Sequence, residues 1–244
     1  MKTYNRPSPN FDERHGGQKP SLIVLHYTSM DSAEAALDRL SDPASKVSCH
    51  YLIDEKGNIY TMVDEEKRAW HAGVSGWQGK DDVNSRSIGI EISNRDNLPY
   101  TNEQLFSLAL LCRDIQHRHN IPPENVIGHS DVAPGRKIDP GEHFPWAKMA
   151  RHDIGRWPAP GIKDKFNAAA VAKSPRRLKA LFKEAGYPVE AFGKNKPALK
   201  DIIFAFQQRY EPEIFKDATK TPGKATEHTV ARLRAVARQQ RNKP

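Results

Sequence analysis

The sequence predicts an α/β fold, a mixed central β-sheet flanked by helices, followed by a small C-terminal three-helix bundle. Three observations carry this. Short apolar runs rich in branched residues alternate with segments of helical spacing between residues 20 and 130, the pattern of strands buried beneath helices. After Trp146 the character changes, and WPAPGIKDK brings two prolines and a glycine, which reads as a linker. Beyond it, three segments repeat apolar residues at i, i+3 and i+4, the stripe of an amphipathic helix. The expected boundaries are an α/β domain over 1–157, a linker over 158–172 and a helical domain over 173–244.

Each element has its own signal. SLIVLHYT is a buried strand ending in polar groups, and DSAEAALDRLSD a helix capped by Asp or Ser. HYLIDEKGNIYTMV alternates on both sides of a Gly-Asn turn, as a hairpin does. SIGIEISN is another strand. TNEQLFSLALLCRDIQHRHN opens with a Thr-x-x-Gln capping box and carries Leu105, Leu108, Leu111, Cys112 and Ile115 on one face. NVIGHS is a last short strand. In the bundle, Leu178, Leu181 and Phe182 form one face, Leu199, Ile202, Ile203 and Phe206 a second, and Val230, Leu233 and Val236 a third.

Composition excludes some classes. No apolar run approaches the roughly 20 residues of a membrane helix. The first residues, MKTYNRPSPNFDERHGG, lack an apolar signal-peptide core, so a cytoplasmic location is expected. The two cysteines, Cys49 and Cys112, are expected as buried free thiols rather than a disulfide. Residues 161–244 hold 19 Lys and Arg against 8 Asp and Glu, a net +11, whereas residues 1–160 hold 19 against 22, a net −3. A basic module on a mildly acidic body suits an anionic polymer. Nucleic acid, lipid headgroups and bacterial wall polymers all qualify.

The chemistry concentrates in GHSDVAPGRKIDPG, residues 128–141, where Pro and Gly hold a histidine, two aspartates and an Arg-Lys pair in a stiff loop. His26 ends one strand and His129 another. With Asp139 they make a three-ligand set that leaves a fourth position for water, as catalytic zinc requires. Lys137 lies two residues before Asp139 and is placed to stabilise an oxyanion. Glu91 interrupts an apolar strand, where a carboxylate needs a partner or a task such as general base. His50 and His71 remain alternative ligands by spacing alone.

LHYT, CHYLIDEKGNIY, RAWHAG, SIGIEISN and GHSDVAPGRKIDPG, in this order over residues 20–150, resemble the zinc-dependent N-acetylmuramoyl-L-alanine amidases of the AmpD and AmiD type. These share a fold with peptidoglycan recognition proteins. The resemblance implies one zinc ion per chain held by His26, His129 and Asp139, with Glu91 and Lys137 as catalytic partners and His50 and His71 as non-ligands. It implies hydrolysis of the amide between N-acetylmuramic acid and L-alanine of the stem peptide. Tyr27 stands where some members carry asparagine. Tyr27, His50, Trp70, His71, Trp77 and Arg136 are the candidate substrate-binding residues, since aromatic faces suit sugar rings. Residues 74–86 are the polar, glycine-containing segment to watch for a loop opening over the site.

The bundle is similar to three-helix peptidoglycan-binding domains in its AGY, IIFAFQQRY and TEHTVARLRAV segments. That implies peptidoglycan or anhydro-muropeptide as partner and no nucleic acid; the alternative is a generic basic bundle for dimerisation or nucleic-acid contact. The rival to an enzyme is a muropeptide-binding protein of the same fold that does not cut. Binders of that kind typically lack the complete set of ligands and catalytic partners found here. Cytosolic recycling fits the missing signal peptide, and cleavage of intact wall after another export route fits the module.

Overall fold

The computed structural model describes residues 2–95, 98–190 and 196–241; residues 191–195 and 242–244 of the expected helical domain lie outside them. In chain order the elements are β1 (Thr3–Asn5), β2 (Phe11–Glu13), β3 (Leu22–Tyr27), α1 (Ala33–Ser41), β4 (Tyr51–Ile53), β5 (Ile59–Thr61), β6 (Lys67–Ala69) and β7 (Ser87–Ile92). There follow α2 (Asn102–His119), β8 (Val126–Gly128), α3 (His129–Val132), α4 (Trp146–Met149), α5 (Ile162–Lys165), α6 (Ala168–Ala172), α7 (Pro175–Glu184), α8 (Leu199–Tyr210) and α9 (Glu227–Arg241). The main sheet runs β1-β5-β4-β7-β3-β8, and β2 pairs with β6 in a separate ribbon. Among the described residues only β4 and β5 are antiparallel neighbours in the main sheet, as the hairpin pattern predicts.

The central strands are buried on both faces, which is why they read as apolar runs. Alternation divides them. Ile23 and Leu25 of β3, with Ile88, Ile90 and Ile92 of β7, pack under Leu105, Leu108, Leu111 and Ile115 of α2. That helix has its capping box, Thr101 and Gln104 bonding reciprocally. Leu22 and Val24 face the other way and join one core with Phe182, Tyr187, Phe206 and Leu233 of the helical module. The module is therefore packed onto the sheet through a continuous apolar core. Cys49 and Cys112 are buried free thiols, as expected.

One expectation is corrected. Residues 158–172 are more than a linker: they contain α5 and α6, whose Ala168 and Val171 are buried in the shared core. Arg238 grips Asp164 with two 2.6 Å bonds, and Arg232 reaches the Pro158 carbonyl. The sequence disguises this because the helices are only four and five residues long, too short to show periodicity. Residues 74–86, the segment to watch, are bonded to their surroundings. Gly76 N–H bonds the Val132 carbonyl at 2.9 Å and Gln78 N–H the Gly186 carbonyl at 2.8 Å, while Arg86 donates to the Trp77 carbonyl at 2.6 Å. Among the described residues no helix is long and apolar enough to cross a membrane.

Candidate active site

The site lies at the carboxyl ends of the parallel strands, where open α/β sheets place their ligands. His26 pairs in register with Glu91 across β3 and β7, so both side chains leave the same face. β8 ends at Gly128, and His129 opens α3. Part of the loop expected at 128–141 is thus one helical turn. The loop then returns through Gly135 and Gly141, both at φ +79°, and the Asp139 carbonyl accepts from Ser130 N–H at 2.9 Å. This closes the loop on the helix and delivers Asp139 beside His129.

Three ligand atoms converge there. His26 Nδ1 lies 2.9 Å from His129 Nδ1 and 3.0 Å from Asp139 Oδ2, and His129 Nδ1 lies 2.9 Å from the same oxygen. All three residues are buried. His129 Nε2 donates to the Ala72 carbonyl at 3.1 Å, which in the ligating form of the ring turns the Nδ1 lone pair toward the other two groups. Burial and the nearby His129 lower the His26 pKa to about 4, so this ring is neutral. For Asp139 burial pulls upward, yet hydrogen bonds and charge from His129 and His26 in the metal-free triangle outweigh it and hold the carboxyl well below its ordinary range. Lone pairs with a carboxylate in a buried triangle repel unless a cation joins them. Tetrahedral zinc ligands at ~2.0–2.1 Å stand about 3.3 Å apart, so this set fits the ion after opening by a few tenths of an ångström.

Glu91 reaches the same cleft. Its Oε2 is buried without a hydrogen-bond partner among the described residues. Burial first, then the Asp139 charge, push its carboxyl up to about 8, against the opposing pull of Lys137. The cavity, about 650 Å³, is lined by Tyr27, Trp70, His71, Arg136 and Lys137 together with the ligand set. Arg136 is fixed by bonds to the Ala72 and Val74 carbonyls, and Lys137 stands beside it, exposed on the same turn.

Two candidates lie elsewhere. Trp77 is 3% exposed and packs edge-on against Tyr187 at 5.2 Å, so it belongs to the junction with the helical module and does not line the cleft. His50 is fully buried behind the site. Its Nδ1 accepts from Gly89 N–H at 2.9 Å and its Nε2 donates to the Lys67 carbonyl at 3.1 Å, a structural role.

The match to the family model described as N-acetylmuramoyl-L-alanine amidase covers residues 16–142, the segment that builds this site. The chain belongs to that amidase family. It is 35% identical over 213 residues to the N-acetylmuramoyl-L-alanine amidase AmiD of Escherichia coli K12, spanning 80% of this chain and 76% of that protein. It is 38% identical over 159 residues to the 1,6-anhydro-N-acetylmuramyl-L-alanine amidase AmpD of Haemophilus influenzae, spanning 58% of this chain and 86% of the relative. Among solved structures, the complex of E. coli AmiD with anhydro-N-acetylmuramic acid-L-Ala-D-gamma-Glu-L-Lys is 31% identical at a TM-score of 0.74, covering 94% of this chain and 98% of that one. AmpDh3 of Pseudomonas aeruginosa is 32% identical at 0.77, covering 92% and 94%.

The amidase has site components that sequence reasoning missed. Asp201, Phe204 and Ala205 of α8 line the cleft, so the helical module forms one of its walls. They recur at i, i+3 and i+4 opposite the apolar stripe, a signal that was present but looked like a solvated face. Asp131 is the second. Its Oδ2 accepts from Gly128 N–H at 2.9 Å and from Arg209 at 2.6 Å, and its Oδ1 from Tyr187 at 2.6 Å. Two module side chains thereby hold the turn that carries His129.

Proposed function

We propose that this amidase is zinc-dependent, with His26 Nδ1, His129 Nδ1 and Asp139 Oδ2 as ligands, and that it hydrolyses the bond between the lactyl group of N-acetylmuramic acid and L-alanine. The convergence of three lone-pair donors beside an unpaired buried carboxyl carries this reading. Zinc there supplies a Lewis acid that polarises the scissile carbonyl and acidifies water. Glu91 removes a proton as the water oxygen bonds to the carbonyl carbon, and its apolar burial makes it a strong acceptor. Lys137 faces the oxygen that gains charge. Glu91 then returns the proton to the alanine nitrogen as the C–N bond breaks, giving the lactyl carboxylic acid and a free amine, which exchange a proton to become carboxylate and ammonium. Tyr27, Trp70 and Arg136 contact the substrate along the cleft.

The substrate class follows from the relatives: AmiD binds an anhydro-muramyl tripeptide, and AmpDh3 an anhydromuramic pentapeptide. We assign the helical module, from α5 onward, a double role. Its basic surface contacts wall polymer, and α8 closes the catalytic cleft. Product release from anhydro-muropeptides and from purified sacculi, with His129→Ala as control, tests this. Cleavage of both is expected. Cleavage of soluble fragments alone, with no binding to sacculi, removes the wall-contact role, and a fully active control removes the ligand assignment.

A further inference from the structure

We propose that His71 is a positioning residue that fixes the tautomer of His26 through a directed relay ending at the Val83 carbonyl. The inference rests on the reading that His26, His129 and Asp139 hold a metal ion. The direction of every bond follows from the last one. Ser87 Oγ donates to the Val83 carbonyl at 2.6 Å, which consumes its only hydrogen. Toward His71 Nε2, 3.0 Å away, the same oxygen therefore accepts, and Nε2 carries the ring's hydrogen. His71 Nδ1 is then a lone pair. It lies 3.0 Å from His26 Nε2 and accepts from it. His26 Nδ1 is left bare, aimed at His129 and Asp139. The opposite His26 tautomer would put a hydrogen inside the ligand triangle.

The local sequence is shaped around this relay. Ser87, Gly89 and Glu91 alternate onto one face of β7. A Cβ on Gly89 would lie 2.4 Å from His71 Cγ, so the glycine is needed for the ring to rest on the strand. Asn84 Oδ1 accepts from both His71 N–H, at 3.2 Å, and Ala72 N–H, at 2.7 Å, which fixes the backbone from which the ring projects. The two rings meet edge-on at 5.1 Å and 80°. Outer-shell partners of this kind orient ligating histidines, and their loss typically costs about 10–100-fold in metal affinity.

The test is the zinc dissociation constant by chelator competition, measured on the full chain. His71→Leu removes the acceptor and is expected to weaken zinc about 10–100-fold. His71→Asn keeps an oxygen near the Nδ1 position and is expected to restore most of the affinity. Ser87→Ala frees the relay's far end and should weaken zinc by a smaller factor, which keeps the proposal testable if the leucine variant does not fold. Wild-type affinity in His71→Leu, or in Ser87→Ala should the leucine variant not fold, overturns the relay, as does equal weakness in the leucine and asparagine variants. His129→Ala separates the two levels: if it binds zinc as tightly as wild type, the metal-site reading itself fails.

Discussion

Arg209 offers the sharpest test of how the helical module supports the site. Its guanidinium is 4% exposed in side-chain terms and Asp131 is 1% exposed. One arm meets Asp131 at 2.6 Å and the other the Val126 carbonyl at 3.2 Å, while the plane lies 3.9 Å from the Trp146 ring centroid. Arg209→Met keeps the stem's packing and removes the charge. Breaking a buried pair from one side costs about 3–5 kcal/mol, because the other charge stays buried and uncompensated. Asp131 keeps the Gly128 N–H and the Tyr187 hydroxyl, which moves the expectation to the lower end, about 3 kcal/mol. Urea unfolding of the metal-free chain reads this directly, with Asp131→Asn and the double variant completing a cycle. A coupling above about 1 kcal/mol is expected for groups in contact. A loss below about 1 kcal/mol for Arg209→Met, or additive single effects, would refute the clamp.

Four further outcomes follow from the same geometry. His50 has its pKa lowered to about 3 by burial and by Arg14; below the ordinary 6.5 the unfolded chain takes a proton that the folded chain refuses, so stability falls on acidification. Between pH 7 and pH 5 this group contributes a loss of about 2 kcal/mol, which His50→Asn should abolish in paired unfolding curves. For Glu91 the sign is opposite: the folded carboxyl keeps its proton up to about 8, so Glu91→Gln gains stability over wild type as pH rises from 5 to 9 in the metal-free protein. The same variant should lose about 10²–10⁴-fold in turnover with zinc binding retained, and unchanged turnover would remove Glu91 as base. Phe204→Ala should raise KM for anhydro-muropeptides while leaving kcat near wild type, and an unaltered KM would remove α8 from the substrate-binding wall.

Much of this was legible in the sequence because the signals are local. Branched apolar runs marked β3 and β7, Thr101 and Gln104 marked the start of α2, and the Gly-Asn turn marked the hairpin. A carboxylate in an apolar strand pointed to Glu91, and the motif resemblance pointed to the ligand trio. What was not legible depends on distant contacts. Trp77 looked like a sugar platform, but Tyr187, 110 positions later, covers it. The wall supplied by Asp201 and Phe204 and the clamp of Arg209 on Asp131 arise only once the module docks on the sheet. The order of ring hydrogens from Val83 to His26 requires atomic distances that no spacing rule supplies.

The most direct measurement titrates zinc into chelator-stripped protein while following both bound metal and amide cleavage of an anhydro-muropeptide. One ion per chain is expected, with turnover rising in step with occupancy and with neither signal in His129→Ala. Full turnover in the stripped protein, or stoichiometric zinc with full activity in His129→Ala, would contradict the account.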